Sequence, residues 1–232
     1  MIQDDLKAAA ARDAVKLVRD RQIVGLGSGS TCKIFIIELG RLVRNGLDIT
    51  GVPTSKEIEA LAGDNGIKTL AIDEVERIDI AVDGADEIDM RLNLIKGYGG
   101  ALLREKIVAS KADNFVIIAD ESKLVEKLGD RGIIPVEIKK NGCEQTLKEL
   151  GRIGKAEIRE KDGNFFVTDN GNLIADLKTR ITDPSAMDKE IKSIEGVLET
   201  GLFISMADFA IIGTEKGVLH MGGHRKKTGV KA

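Results

Sequence analysis

Short apolar segments of strand length alternate with longer segments of helical periodicity through the first half of the chain. The strand-like segments include residues 22–26, 78–82 and 115–119, and the helical segments include residues 33–43 and 101–112. Strands that are apolar along their whole length, with helices between them, are typical of a parallel sheet covered on both faces. The alternation therefore predicts an α/β protein with a Rossmann-like, mostly parallel sheet and helices on both faces.

The pattern changes after residue 129. Shorter segments then follow one another in a βα–ββ–α order, with a hairpin turn at residues 161–163. This order predicts a smaller α+β domain with antiparallel pairing. We expect residues 1–129 and 206–232 to form the Rossmann-like domain, and residues 130–205 to form the smaller one.

Composition excludes several functional classes. Aromatic residues make up 3% of the chain and the net charge is −3, so neither base stacking nor a basic field for a phosphate backbone is available. The apolar runs are far shorter than the roughly 20 residues of a membrane span, and the N-terminus does not resemble a signal peptide. We expect a cytoplasmic protein that binds neither nucleic acid nor membrane, with Cys32 and Cys143 as buried, reduced thiols.

A glycine-rich loop, Gly25-Leu26-Gly27-Ser28-Gly29-Ser30-Thr31, joins a predicted strand to a predicted helix. Glycines allow backbone N–H groups to approach an anion, and the helix N-terminus favours negative charge. The loop is not a dinucleotide fingerprint, because Ser30 stands where the third glycine belongs, and it lacks the lysine of a P-loop. Two interpretations stay open: a phosphate cradle with two hydroxyl donors, or an ordinary tight turn with a serine cap.

An acidic segment, Asp83-Gly84-Ala85-Asp86-Glu87-Ile88-Asp89, directly follows the strand-like residues 78–82. Ligands of open α/β sheets bind at the carboxyl ends of strands, and clustered carboxylates favour acid–base chemistry. A solvated acidic turn and a divalent-metal site are the alternatives, although the spacing is not that of a calcium loop.

A second glycine-rich loop, Lys96-Gly97-Tyr98-Gly99-Gly100, leads into a predicted helix that carries Glu105. The lysine and the loop amides suit the stabilisation of an oxyanion, and we expect Glu105 to face back toward the loop. The alternative is a surface glutamate on a charged helix. Lys123, after the strand-like residues 115–119, adds a further cation at the predicted sheet edge.

Two histidines, His220 and His224, have i, i+4 spacing, but Met221-Gly222-Gly223 between them is a poor helix. A flexible basic tail that includes Arg225 is favoured over a metal site.

Parallel strands that end at one sheet edge would bring the three loops together. A phosphate cradle, carboxylates, a lysine and a helix-borne glutamate suit proton transfer on a small phosphorylated carbonyl compound. A carboxylate would remove a proton beside the carbonyl, while the cation and amides hold the enediolate oxygen. We expect neither a metal nor another cofactor.

In order and spacing, the motifs that begin at Gly27, Asp83, Lys96 and Asp120 resemble those of type A ribose-5-phosphate isomerases. The likeness runs from Asp5-Leu6-Lys7 to about Gly217. The resemblance implies cofactor-free interconversion of ribose 5-phosphate and ribulose 5-phosphate, in the non-oxidative pentose phosphate pathway. It also implies an inserted ferredoxin-like domain, with the smaller domain at the interface of a homodimer or homotetramer.

The resemblance also implies residue roles. Glu105 would be the base, and Lys96 with the Gly97 amide would hold the oxyanion. Asp83 would bind the reacting hydroxyl and assist ring opening with Asp86. The implied substrate-binding residues are Lys7, Ser28, Gly29, Ser30, Thr31, Asp83, Gly84, Ala85, Asp86, Lys96, Gly97, Tyr98, Gly99 and Lys123.

The chain departs from the family at Tyr98, where glycine is frequent; the tyrosine would either narrow the loop or shift the ring pose. It also departs at Leu103, where some members have threonine. Two other functions compete: a non-catalytic domain that senses sugar phosphates, and an enzyme related to CoA transferases.

Overall fold

The computed structural model describes residues 3–222 of the chain, which form two compact units. The first unit contains residues up to Gly84, Ile107–Glu121 and residues from Met206 onward, and the second contains Ala85–Lys106 and Ser122–Ser205. The helices are α1 Gln3–Val15, α2 Ser30–Arg44, α3 Lys56–Asp64, α4 Leu102–Lys111, α5 Cys143–Leu150 and α6 Pro184–Lys192. The predicted domain limits at residues 129 and 206 stay a prediction.

The first unit is built on a seven-stranded sheet in the order β16-β15-β7-β4-β1-β2-β3. All neighbouring strands are parallel except β16, which is antiparallel to β15. The α/β class and the mostly parallel sheet are confirmed. The strands are β1 Ile23–Leu26, β2 Thr50–Pro53, β3 Lys68–Thr69, β4 Ile80–Asp83, β7 Phe115–Asp120, β15 Phe209–Thr214 and β16 Gly217–Gly222.

Close packing in this unit depends on small residues in the central strand. A Cβ at Gly25 would lie 2.6 Å from Val108 Cγ1 and 2.8 Å from the Ala81 Cβ, so β1 approaches its neighbours only with glycine here. Phe35, Ile36 and Leu39 of α2 are fully buried in the same core. The apolar face of α2 therefore fixes where its N-terminus lies at the end of β1.

The second unit contains a four-stranded antiparallel sheet in the order β13-β8-β12-β9. With α5 and α6, its chain order is βαββαβ, the ferredoxin-like arrangement that the resemblance implies. The strands are β8 Ile134–Ile138, β9 Lys155–Ile158, β12 Leu173–Lys178 and β13 Val197–Thr200.

The predicted hairpin also lies in the second unit. It joins β10 Glu160–Lys161 to β11 Asn164–Phe165. Asp162 and Gly163 both have positive φ, 53° and 75°, as a two-residue hairpin turn requires.

A three-stranded sheet in the second unit contains Glu87 and Ile88 of the acidic segment. Its order is β14-β6-β5, with β5 Glu87–Ile88, β6 Leu94–Ile95 and β14 Leu202–Phe203, all antiparallel. Asp83, Glu87 and Asp89 are at most 9% exposed, which excludes a solvated acidic turn.

Two further predictions concern cysteines and histidines. Cys32 is fully buried, but the prediction for Cys143 is wrong, since this residue at the start of α5 is only half-buried. His220 lies in β16 beside Asp13, and His224 and the tail from Arg225 lie outside the described residues. Within residues 3–222, no helix is long and apolar enough to span a membrane.

Candidate active site

The loop after β1 in the first unit is held by backbone geometry. The N–H of Gly27 donates to the Val82 carbonyl oxygen at 2.9 Å, which ties the loop to the end of β4. A Cβ at Gly27 would lie 2.3 Å from Asp83 Cγ, so only glycine allows these two strand ends to meet. β1 and β4 adjoin at the point where the strand order reverses, the usual ligand position in such sheets.

Asp83 is the buried carboxylate at this point, with 2% of its surface exposed. Its Oδ1 accepts from the N–H groups of Ser28 at 3.1 Å and Gly84 at 2.7 Å, and from the Cys32 thiol at 3.7 Å. These donors hold the carboxylate in one orientation. The fold thus provides a fixed carboxylate beside the glycine-rich loop.

The N-terminus of α2 follows directly. Gly29 is its N-cap, with φ 101°, and provides no side-chain cap hydrogen bond. Ser30 is exposed and Thr31 is 8% exposed. Backbone N–H groups at a helix N-terminus and adjacent hydroxyls can bind an anion, as the phosphate-cradle interpretation requires.

A hydroxyl cluster that the sequence did not predict supports Ser28. The Ser28 Oγ lies 2.8 Å from Thr54 Oγ1 and donates to Ser55 Oγ at 3.1 Å, while Thr54 Oγ1 donates to the Leu26 carbonyl. Thr54 is 1% exposed. The loop after β2 therefore fixes the loop after β1. No local sequence motif predicts this contact between hydroxyl groups.

Lys96 and Glu105 form the centre of the second unit's candidate site. Lys96 follows β6, Glu105 lies in the first turn of α4, and Lys96 Nζ is 3.2 Å from Glu105 Oε2. Their side chains are 3% and 6% exposed. The prediction that Glu105 faces the loop is confirmed, and a surface glutamate is excluded.

The turn between these residues depends on left-handed glycines. Gly97 and Gly100 have φ of 107° and 79°, and the Gly100 N–H donates to the Gly97 carbonyl at 2.9 Å. The Tyr98 N–H donates to Asp86 Oδ2 at 2.9 Å. Asp86 thus anchors the loop that carries Lys96.

The Tyr98 ring packs against the core of the second unit, and its hydroxyl is buried. Burial, reinforced by the carboxylates of Glu87 and Asp86, raises the pKa of Tyr98 to about 12. The ring is therefore an anchor of the loop and not a side chain that narrows it.

The remaining acidic residues of the segment are structural. Glu87 is fully buried and accepts from the N–H groups of Gly129 at 2.6 Å and Arg131 at 2.8 Å. Asp89 accepts from the backbone and the side chain of Asn93. No group of three or more His, Cys, Asp or Glu within residues 3–222 is arranged to hold a metal ion.

The structure places the predicted residues in two groups, one in each unit. Lys7 belongs to the first unit on α1, where its Nζ lies 3.3 Å from Asp4 Oδ1. Lys123 belongs to the second unit and ends a 3₁₀ turn, half-buried. The first group also contains Ser28, Gly29, Ser30, Thr31, Asp83 and Gly84, and the second also contains Ala85, Asp86, Lys96, Gly97, Tyr98, Gly99 and Glu105.

Comparison with known proteins gives a consistent result. The model of the family "Ribose 5-phosphate isomerase A (phosphoriboisomerase A)" matches residues 50–217. A ribose-5-phosphate isomerase A of Rhodopseudomonas palustris is 47% identical over 94% of this chain and 97% of its own. That of Thermococcus kodakarensis is 45% identical over 94% of this chain and 98% of its own.

Solved structures agree with this match. Ribose 5-phosphate isomerase A of Methanocaldococcus jannaschii is 43% identical with a TM-score of 0.91, covering 95% of this chain and all of its own. A D-ribose-5-phosphate isomerase in complex with phospho-erythronic acid is 41% identical with a TM-score of 0.93, covering 96% of this chain and all of its own. The chain therefore belongs to the ribose-5-phosphate isomerase A family.

Proposed function

We propose that the protein interconverts D-ribose 5-phosphate and D-ribulose 5-phosphate through an enediolate. The observation that carries the proposal is the buried Lys96–Glu105 pair, with 3.2 Å between Nζ and Oε2. A carboxylate beside a fixed cation supplies both a base and a charge that stabilises an oxyanion. Family membership supports the same reaction.

In the proposed reaction, Glu105 removes the proton on C2 of the open-chain aldose, and the electrons of that bond form the C1–C2 double bond. The negative charge that develops on O1 is held by Lys96 and the Gly97 amide. The hydroxyl proton moves from O2 to O1, and Glu105 returns its proton to C1. The product has the same composition as the substrate, so the reaction needs no redox partner.

We assign ring opening to Asp83 and Asp86. Asp83 Oδ1 accepts from two backbone N–H groups and the Cys32 thiol, which holds the carboxylate in one orientation. Asp86 is fixed through the Tyr98 N–H. Both carboxylates would accept hydroxyl protons of the sugar and assist opening of the furanose ring.

We assign phosphate binding to Ser30, Thr31 and Lys123, with a smaller contribution from Lys7. The uncapped N-terminus of α2 and the two hydroxyls support this assignment. We further propose that the protein is cytoplasmic, forms a homodimer or homotetramer through the smaller domain, and needs neither a metal nor a cofactor.

A coupled assay of ribose 5-phosphate isomerisation, with and without EDTA, tests the proposal. The Glu105→Gln variant should lose about 10³-fold in kcat and still bind substrate, because the amide cannot accept the C2 proton. Glu59→Gln, at an exposed position on α3, is the matched control and should keep wild-type kcat. Deuterium from D2O should enter the sugar at C1 or C2 only with wild type and the control.

Each arm has a contradicting result. Wild-type kcat in Glu105→Gln rules out the proposed base, and activity abolished by EDTA contradicts the metal-free reaction. Substrate binding without turnover by wild type favours a sensor domain. A covalent thioester that hydroxylamine cleaves favours a CoA-transferase-like enzyme.

A further inference from the structure

Arg159 of the second unit donates hydrogen bonds to the glycine-rich turn at Lys96–Gly100. Its Nη1 donates to the carbonyl oxygens of Gly97 at 2.8 Å and Tyr98 at 2.9 Å. Its side chain is 15% exposed. One arginine nitrogen thus binds two consecutive carbonyls of the loop that carries Lys96.

The guanidinium is itself held in place by Asp176 on β12. Arg159 Nε donates to Asp176 Oδ2 at 2.9 Å, and Nη2 donates to Oδ1. This bidentate pairing fixes the plane of the guanidinium, and with it the direction of Nη1. The Arg159–Asp176 pair is therefore a rigid clamp built from the sheet of the second unit.

Binding the carbonyls also fixes the amides. Each peptide group is planar and trans, and the described residues contain no cis peptide bond, so every N–H is antiparallel to the carbonyl of its own peptide. Holding the Gly97 carbonyl directs the Tyr98 N–H, which donates to Asp86 Oδ2 at 2.9 Å. Holding the Tyr98 carbonyl directs the N–H of the exposed Gly99 away from Arg159.

The turn needs such a clamp because its own sequence does not restrict its backbone to one conformation. Gly97, Gly99 and Gly100 give the backbone access to many conformations, and two of them have positive φ. Hydrogen bonds from a charged, immobilised donor are stronger than neutral ones and select one of these conformations. The glycines alone would leave the turn flexible, and the hydrogen bonds from Arg159 restrict it in the folded protein.

We propose that Arg159, oriented by Asp176, is a positioning residue for the isomerisation: it fixes the turn that presents Lys96 and the loop amides and that donates to Asp86. The inference rests on the proposed function, since it assigns these groups to the reacting oxygens. Their alignment affects the transition state more than the ground state, so loss of the clamp lowers kcat and leaves KM nearly unchanged.

The test is the Arg159→Met variant, which keeps the length of the side chain and removes every donor. We expect kcat to fall about 10- to 100-fold with KM for ribose 5-phosphate nearly constant. Arg152→Met is the matched control, because Arg152 is exposed and pairs with Glu149 in the same unit. Its kcat should equal that of wild type.

Two readouts separate positioning from a general structural role. Millimolar guanidinium should restore part of the kcat of Arg159→Ala and leave Glu105→Gln unchanged. Calorimetry should show weaker binding of phospho-erythronic acid to Arg159→Met and unchanged binding of inorganic phosphate.

The outcomes are decisive in each direction. A folded Arg159→Met variant with wild-type kcat overturns the inference, as does equal weakening of both ligands. Should that variant not fold, Asp176→Asn decides, with an expected loss of about tenfold in kcat and an unchanged kcat as the contrary result. A wild-type protein without isomerase activity contradicts the proposed function instead, so the two failures are distinguishable.

Discussion

Lys96 and Lys106 are both buried lysines of the second unit, and each lies beside a glutamate. Lys96 Nζ is 3.2 Å from Glu105, and Lys106 Nζ is 2.9 Å from Glu199. Both ammonium groups also lie near the Phe203 ring, at 5.6 Å and 4.7 Å from its centroid. In composition and burial the two pairs are nearly the same.

The two pairs differ in the elements that each ammonium group connects. Lys106 Nζ donates to Glu199 Oε1, to the Thr200 carbonyl and to the Leu202 carbonyl, which uses all three of its N–H donors. Glu199 also accepts from the Thr200 N–H and from Lys192. This pair joins α4 to β13 and β14, whereas Lys96 joins the glycine-rich turn to the proposed base. Hydrogen bonds from Lys106 to three acceptors on β13 and β14 identify this pair as a structural one.

Lys106→Met should have the largest effect, and it should act on stability. Burial lowers the pKa of Lys106, although Glu199 opposes this, and Lys106 in turn holds the pKa of Glu199 below its usual value despite burial. Removing the ammonium leaves the buried carbonyls of Thr200 and Leu202 without this donor and leaves Glu199 with only the Thr200 N–H and Lys192. We expect a loss of about 3–5 kcal/mol in the free energy of unfolding, measured by urea denaturation.

Lys148→Met, at an exposed position on α5, is the control and should change stability by less than about 0.5 kcal/mol. The comparison fails if the two methionine variants unfold at the same urea concentration.

The fold could largely be predicted from the sequence, because apolar strands and amphipathic helices alternate at periods that local physics enforces. β12 was not predicted: Leu173–Lys178 has no clear period, and its strand conformation depends on pairing with β8 and β9 on either side. Pairing with neighbouring strands, and not local sequence, determines the conformation of this segment, as is common for short strands.

The candidate site was predictable where motifs are local, as in the loop from Lys96 to Glu105. Thr54 and Arg159 were missed for a physical reason. Each binds a main-chain carbonyl or a hydroxyl far away in the sequence, 62 residues in the case of Arg159 and Gly97. Such a contact requires only a hydrogen-bond donor that the fold brings close to the acceptor. The residue types at the two positions therefore form no recognisable sequence motif.

Lys96→Met should have the next largest effect, and it should act on turnover. Loss of a cation at a developing oxyanion costs about 10²- to 10³-fold in kcat. Folded Lys106→Met enzyme should retain kcat within about threefold of wild type, since its ammonium is fully used by the fold. Steady-state kinetics on both variants at a temperature where both are folded makes the comparison.

Similar kcat losses in the two variants would contradict the distinction between a structural and a functional pair. A wild-type kcat for Lys96→Met would remove Lys96 from the proposed oxyanion site while leaving the family assignment intact.

Tyr98 extends the comparison to a buried group without a partner: within the described chain, its hydroxyl is buried and makes no hydrogen bond. Tyr98→Phe removes a desolvated polar atom, so we expect a gain in stability of about 1 kcal/mol, or about 2–4 °C in Tm. The pKa of Tyr98 is raised to about 12, mainly by burial and then by Glu87 and Asp86.

This raised pKa adds a pH dependence that checks the same group. Between the ordinary tyrosine pKa of 10.0 and about 12, the unfolded chain has lost the phenol proton that the folded protein keeps. The unfolded state then binds fewer protons, so the stability of wild type falls as the pH rises through this window. The difference in stability between Tyr98→Phe and wild type should therefore widen from pH 7 to about pH 11.

Because Tyr98 is the only tyrosine in the chain, the phenolate absorbance of native protein reports its pKa directly. A native midpoint near 10 would show that the hydroxyl is not desolvated, and a variant less stable than wild type would show that the hydroxyl has a hydrogen-bond partner.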